Sequence, residues 1–369
     1  MSDRCTPSFR ELADSLGGIP CEDANPIGYL HNPFGLTDGL QPLIEVVMIG
    51  GAVLALLHAL GVLRREREAT GLGVWLGAVV YVLVLEPPLY FPEVYGIEDQ
   101  VGVVFVHNEF TVGFLYDRMP LYILLLYPAM TYLAWTIVSR WGIARGRSRL
   151  ATAAITAVCV GTVHHVLYEI FDMLGPQRRW WAWDTDVPTN GPRLGSVPLS
   201  SMVNFALVMP AAFAFVAVLL LGRRERTTAR SVLLPAIGLG VLTPVVSAPG
   251  QLPATLLQVA PDLSDTISVV LMVALLVAAL AITARELRRV ERGPTRWTWS
   301  YPVGFAAVYL VALAAMWLVA LPQTLDGGPL VGSLPYVLAC FVVAALVLWV
   351  TAAAGEPEQV TQTPDRVEA

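Results

Sequence analysis

Apolar stretches of about 18 residues or more recur along this chain, each closed by a cluster of arginines or a proline-rich link. At ~1.5 Å per residue, a helix of that length crosses the hydrocarbon core of a bilayer. The pattern predicts spans over about 43–63, 71–87, 120–138, 150–174, 202–221, 231–246, 266–284, 302–321 and 336–354. The expected fold class is therefore all-α, a polytopic integral membrane protein of about nine transmembrane helices.

Three stretches break the pattern. Residues 1–40 are polar, carry no apolar core of a signal peptide and read as an extracytoplasmic cap, with a short amphipathic helix over Ser8–Leu16. Cys5 and Cys21 both fall in this cap, where a disulfide is possible; two free thiols are the alternative. Residues 101–116 are apolar but interrupted by His107, Asn108 and Glu109. They read as a half-buried segment or as an extension of the third helix kinked at Pro120. Residues 355–369 read as a disordered cytoplasmic tail.

Composition agrees with the pattern: 56% of the 369 residues are hydrophobic and only 14% charged, against about a quarter charged in soluble domains. Every one of the 23 basic residues is arginine. Nine spans with the N-terminus outside and the C-terminus inside put all of them inward except Arg4, Arg10, Arg118, Arg178, Arg179 and Arg193. That asymmetry sets the expected orientation and a multi-pass place in the plasma membrane. The net charge of −6 says little about partners. No nucleic-acid partner is expected, and a homo-oligomer is left open.

The ionisable positions inside the spans separate the chain into two regions. Glu45, His58, Glu86, His165, Glu169 and Asp172 all fall within 41–222, a five-helix region. The four spans of 223–354 carry no charge in their apolar interiors and read as scaffold, dimer surface or lipid-facing wall. His165, Glu169 and Asp172 stand at i, i+4 and i+7 and share one helix face. Ionisable groups at membrane depth are costly and turn toward a protein interior or a wet cavity. Glu86 and His165 each lie 15 residues beyond the inner start of their spans, roughly 22 Å into a core of about 30 Å. They are expected to meet near the outer third of the membrane, with Tyr168 and Asn204 at a similar level and His107, Glu109 and Asp117 approaching from outside.

Three chemistries fit such a cluster. Carboxylic acids in an apolar setting can donate a proton to an alkene. His165, Glu169 and Asp172, completed by His107, Glu109 or Glu86, could ligate a divalent metal, although no cofactor is required by the pattern. A proton relay coupled to transport is the third reading, and a structural hydrogen-bond cluster is the bland one. No phosphate-cradling glycine loop, CxxC pair or serine-centred nucleophile motif is present. Trp180, Trp181 and Trp183 follow Arg178 and Arg179 in the loop after the fourth span. They read as an interfacial belt or as the aromatic walls of a pocket that shelters a cation. The two arginines are expected to pair with Asp172, Asp184 or Asp186, or to bind a lipid phosphate.

The series HNEFTVGFLYDRMPLYILLLYPAMTYLAW, EIFDMLGPQRRWWAWD and SVPLSSMVNF resembles the membrane carotenoid-biosynthesis hydratases of the bisanhydrobacterioruberin type. Shared features are an acidic residue before a proline-led span (Glu109, Pro120), an Asp-containing helix end (Asp172), a W-x-W pair (Trp181, Trp183) and a VP…NF segment (Val197, Pro198, Asn204, Phe205). The resemblance covers roughly 105–210; the spacing inside VPLSSMVNF is looser, and His164–His165 has no counterpart. It implies water addition to a terminal double bond of a long polyprenoid. The expected function is thus a membrane enzyme on an isoprenoid- or carotenoid-like lipid, acting by hydration or cyclisation. Asp172, Glu169, His165, Glu109 and Glu86 would be its catalytic groups. Trp180, Trp181, Trp183, Tyr168, Asn204, Arg178 and Arg179 would bind the lipid or polyprenoid substrate. A metal-dependent lipid-modifying enzyme, a proton-coupled transporter and a non-catalytic subunit are the alternatives.

Overall fold

The computed structural model describes residues 5–17, 25–222, 227–259, 261–291, 300–328 and 330–354. Among these it contains nine helices long and apolar enough to cross a membrane, and the protein is an all-α, multi-pass membrane protein. A short helix α1, Pro7–Leu16, precedes them. The spans are α2 Gln41–Glu66, α3 Thr70–Tyr90, α4 Leu121–Ser139, α5 Arg149–Asp172, α6 Leu199–Leu221, α7 Arg230–Val259, α8 Pro261–Leu287, α9 Tyr301–Asp326 and α10 Leu334–Ala353. The proline-containing stretch after residue 246, expected as a link, is instead a continuation of α7, which holds four prolines. Neighbouring helices in a membrane protein can re-satisfy carbonyls that proline frees, so proline does not end a span there as it does in water.

Burial ranks the helices. Two thirds (67%) of the apolar window is buried in α4 and in α5, against 22% in α8. Thus α5 lies near the centre, packed on α4, α6, α8 and α10, while α7 lies along α3. The last four spans are more than a wall around α5. Tyr309 of α9 donates to the Leu167 carbonyl at 2.9 Å, and Trp317 to that of Ile170 at 2.8 Å.

One end of the bundle carries a cap of short strands: β1 Gly28–Leu30, β2 Phe105–His107, β3 Val112–Phe114, β4 Met119–Pro120, β5 Trp181–Trp183, β6 Arg193–Leu194 and β7 Val197–Pro198. Residues 101–116 are therefore half-buried strand and loop, and they do not extend the third helix, which begins at Leu121. His107, Asn108 and Glu109 interrupt the apolar run that a helix there would bury. Strand pairing settles them instead: β2 lies antiparallel to β5, and β3 lies between β1 and β4. Glu45 of α2 anchors this cap, accepting from the Thr111 amide at 3.0 Å and from Gln41 at 3.2 Å.

Cys5 is disulfide-bonded, whereas Cys159 and Cys340 are free and buried. Cys21, the partner expected from the sequence, lies outside the described residues, as do 355–369, the expected disordered tail.

Candidate functional site

The π-turn Asn204–Val208 interrupts α6 where it faces α5. A π-turn shifts the backbone register by one residue and leaves carbonyls short of partners, a feature frequent at functional sites. Two histidines supply those partners. His165 Nδ1 lies 3.0 Å from the Met202 carbonyl, and His164 Nδ1 lies 2.9 Å from that of Ala206. A carbonyl only accepts, so both Nδ1 atoms carry the hydrogen. His165 Nε2 meets the Tyr336 hydroxyl of α10 at 2.5 Å. The helices come close here because residue 161 is glycine: a Cβ would stand 2.6 Å from the Leu207 carbonyl oxygen.

The predicted stripe does share one face of α5, but that face is a ridge between two cavities. At about 100° per residue, Tyr168 and Phe171 fall to one side of the stripe and Thr162 and Val166 to the other. Asp172 turns with Tyr168 and Phe171 into a narrow pocket under the cap. His165 turns with Thr162 and Val166 into an apolar groove. Glu169 lines neither cavity and is fully buried, with no hydrogen-bond partner on either oxygen among the described residues. Its nearest ionisable partner is His165 Nδ1 at 3.8 Å.

Glu86 of α3 and Asp172 of α5 both line the narrow pocket, with Tyr127, Tyr168, His107, Trp181 and Trp183. Glu86 Oε1 accepts from the Tyr127 hydroxyl, and Asp172 Oδ2 accepts from the Ser201 hydroxyl at 3.2 Å. The second oxygen of each carboxyl, and Trp183 Nε1, have no partner among the described residues. Orphan polar atoms this deep are costly unless a water or ligand meets them. The pocket's volume of about 30 Å3 holds about two waters.

Strand geometry explains the aromatic roof. In the β2–β5 pair Phe105 stands opposite Trp183, Val106 opposite Ala182 and His107 opposite Trp181. Alternate residues point to opposite faces. Phe105, His107, Trp181 and Trp183 therefore line the pocket, while Val106 and Ala182 pack against Phe9 and Ala13 of α1. His107 is ringed by Tyr90, Phe105, Tyr122 and Trp181. Burial pushes its pKa down to about 3, so the imidazole is neutral.

The remaining candidates serve the cap. Arg178 pairs with Asp38, Nε to Oδ2 at 3.0 Å and Nη2 to Oδ1 at 2.5 Å, and not with Asp172, Asp184 or Asp186. Trp180 Nε1 donates to the same carboxylate at 2.6 Å. Burial raises the Asp38 pKa, but bonds from Arg178, the Leu40 amide and Trp180 outweigh it and hold the carboxyl below the usual range. Arg179 is exposed at a positive φ of 58°, and its carbonyl accepts from Asn108. Glu109 accepts from Thr37 at 3.1 Å, far from any role at the carboxyl pair. Asn204 opens the π-turn with its Oδ1 unpartnered and lines neither cavity.

Of the six residues weighed as metal ligands, Glu86, His107 and Asp172 line the pocket while Glu109, His165 and Glu169 do not. Among the described residues no three His, Cys, Asp or Glu side chains converge as a metal shell. Sequence reasoning missed Tyr127, Tyr336 and Ser201. Tyr127 shares its span with Tyr122 and Tyr132, and none of Tyr127, Tyr336 and Ser201 carries a signal without the partner helix in place.

No curated protein and no solved structure matches the chain. A family model described as a domain of unknown function (DUF7802) matches residues 43–321, a stretch that holds Glu86, His107, Tyr127 and Asp172, and the chain belongs to that family.

Proposed function

We propose that this protein is a membrane-embedded acid catalyst that protonates an alkene of an isoprenoid- or carotenoid-like lipid, leading to hydration or cyclisation. One observation carries the reading: two carboxyls from different helices, each with one oxygen held by a hydroxyl and one unpartnered among the described residues, line one pocket under an aromatic roof. Asp172 is the proton donor. Its O–H bond breaks as the alkene π pair forms a C–H bond, leaving a tertiary carbocation and a carboxylate. The faces of Trp181, Trp183 and Phe171 attract that cation. Water held by Glu86 and the Trp183 N–H adds to it, and the surplus proton returns to the carboxyl pair. An internal alkene in place of water gives cyclisation.

The pocket is too narrow for a chain in its present form, so the alkene end enters as Trp181 and Trp183 part. The arginine bias supports a cap and pocket on the extracytoplasmic side of the plasma membrane. The test is expression of the wild type and of Asp172→Asn and Glu86→Gln in a polyprenoid-producing host, followed by mass spectrometry of the lipids. The expected result is a product one water heavier, or an isomeric ring, that both variants lose while still folding. Identical lipid profiles with and without the wild-type protein would sink the reading.

A further inference from the structure

On the other side of the stripe, α5, α6, α8 and α10 enclose a groove of about 450 Å3 whose lining is almost wholly apolar. That size lies within the range of about 300–1,000 Å3 typical of small-ligand sites. Two features distinguish it from an ordinary gap between helices. The hydrogen-bonded pair of buried His165 and half-buried Tyr336 lines it, so its lining is polar at one spot. Arg193 of β6, exposed and in no ion pair among the described residues, stands among its lining residues at the cap end. The wall formed by α8 is the least buried of all the spans, and Leu276 and Val343 line the groove from α8 and α10. Within a bilayer a groove with such a lining suits an apolar chain.

We propose that this groove is a binding site for one anionic, phosphate-headed lipid, independent of turnover at Asp172. Its chain lies along Leu199, Leu276 and Val343, and its phosphate meets Arg193 at the cap-end rim. His165 offers no second charge: Nδ1 donates to the Met202 carbonyl, leaving Nε2 to accept from Tyr336, whose oxygen can take one more hydrogen bond from the ligand.

The test is native mass spectrometry of the full-length purified protein titrated with phosphatidic acid or with phosphatidylcholine. Wild type should retain one phosphatidic acid in preference to the choline lipid. An arginine at the lipid surface contributes about 1 kcal/mol, so Arg193→Gln should lower that preference about fivefold. Ala339→Trp fills the groove from an exposed position on α10 and should abolish retention of both lipids, whereas Ala339→Ser should keep it. Asp172→Asn should bind as wild type does. Inorganic phosphate, lacking a chain, should not displace the lipid. Undiminished lipid retention in a folded Ala339→Trp protein, or equal retention of the two lipids by wild type, overturns the proposal.

Discussion

Asp172 and Glu86 stand on α5 and α3 and line one pocket, and each accepts a hydroxyl hydrogen bond on one carboxyl oxygen while the other has no partner among the described residues. The two hydroxyls, of Ser201 and Tyr127, come from two further helices, so four spans have to be in place before the pair exists. Removing the transferable proton should therefore be separable from removing its supports. Asp172→Asn is expected to lower product formation by about 10²–10⁴-fold, the usual cost of losing a general acid. Tyr127→Phe and Ser201→Ala remove one supporting hydrogen bond each, worth about 1 kcal/mol, and should cost roughly fivefold. Lipid mass spectrometry beside thermal melts checks both, and an active Asp172→Asn would remove that residue from the mechanism.

Acid should loosen the cap through His107. Its folded pKa of about 3 lies below the unfolded value of about 6.5, so the unfolded chain binds more protons between those limits. Stability is then full above about pH 6.5 and falls by up to about 1.4 kcal/mol per pH unit on acidification toward pH 3. His107→Gln should flatten the dependence of melting temperature on pH over that interval. An unchanged slope would mean that His107 is exposed or already charged in the folded protein.

Asp38 adds a second acid-sensitive contact with the same direction. Its carboxyl is held below the usual range, so its contribution is present above the unfolded value and disappears as pH falls through the folded one. Asp38→Asn leaves the Arg178 guanidinium without its carboxylate, and is expected to cost about 1–3 kcal/mol. Proteolysis of the 178–198 loop, compared between variant and wild type, reports whether the cap has come loose.

The close approach at Gly161 makes a sharper prediction about packing. A Cβ there meets the Leu207 carbonyl oxygen at 2.6 Å and the Ala211 Cβ at 2.9 Å. Gly161→Val should push α5 from the π-turn and destabilise the protein by about 1–3 kcal/mol, typical of overpacking. Gly304 of α9 has nothing within 4 Å of its Cβ position. Gly304→Ala should instead be neutral or stabilising by up to about 1 kcal/mol, since alanine is the better helix former. A thermal shift of the same sign in both would contradict this packing.

Tyr336→Phe separates the two sides of the stripe. It removes the hydroxyl from His165 Nε2 and leaves a buried acceptor unpaired, at a cost of about 1–3 kcal/mol. Because His165 turns away from the carboxyl pair, lipid conversion should persist in the folded fraction. Loss of conversion at full stability would return His165 to the catalytic group.

The nine spans were legible in the chain alone, since a run of apolar residues long enough to cross a bilayer has one economical conformation, a helix that satisfies its own backbone. The helix period likewise put His165, Glu169 and Asp172 on one face before any partner was known. Prolines misled where that logic was borrowed from water: α7 runs on through Pro249 and Pro253. The packed bundle made the shared face a ridge, with Asp172 lining a pocket beside Glu86's helix on one side and His165 bonded to Tyr336 on the other. It also decided that Arg178 belongs to Asp38, 140 residues earlier, and that FVH and WAW pair as strands over the pocket. Those outcomes depend on which helix or strand lies alongside, and a helix face or a strand alternation fixes only the direction of a side chain. The neighbour it meets is set by packing across the whole bundle.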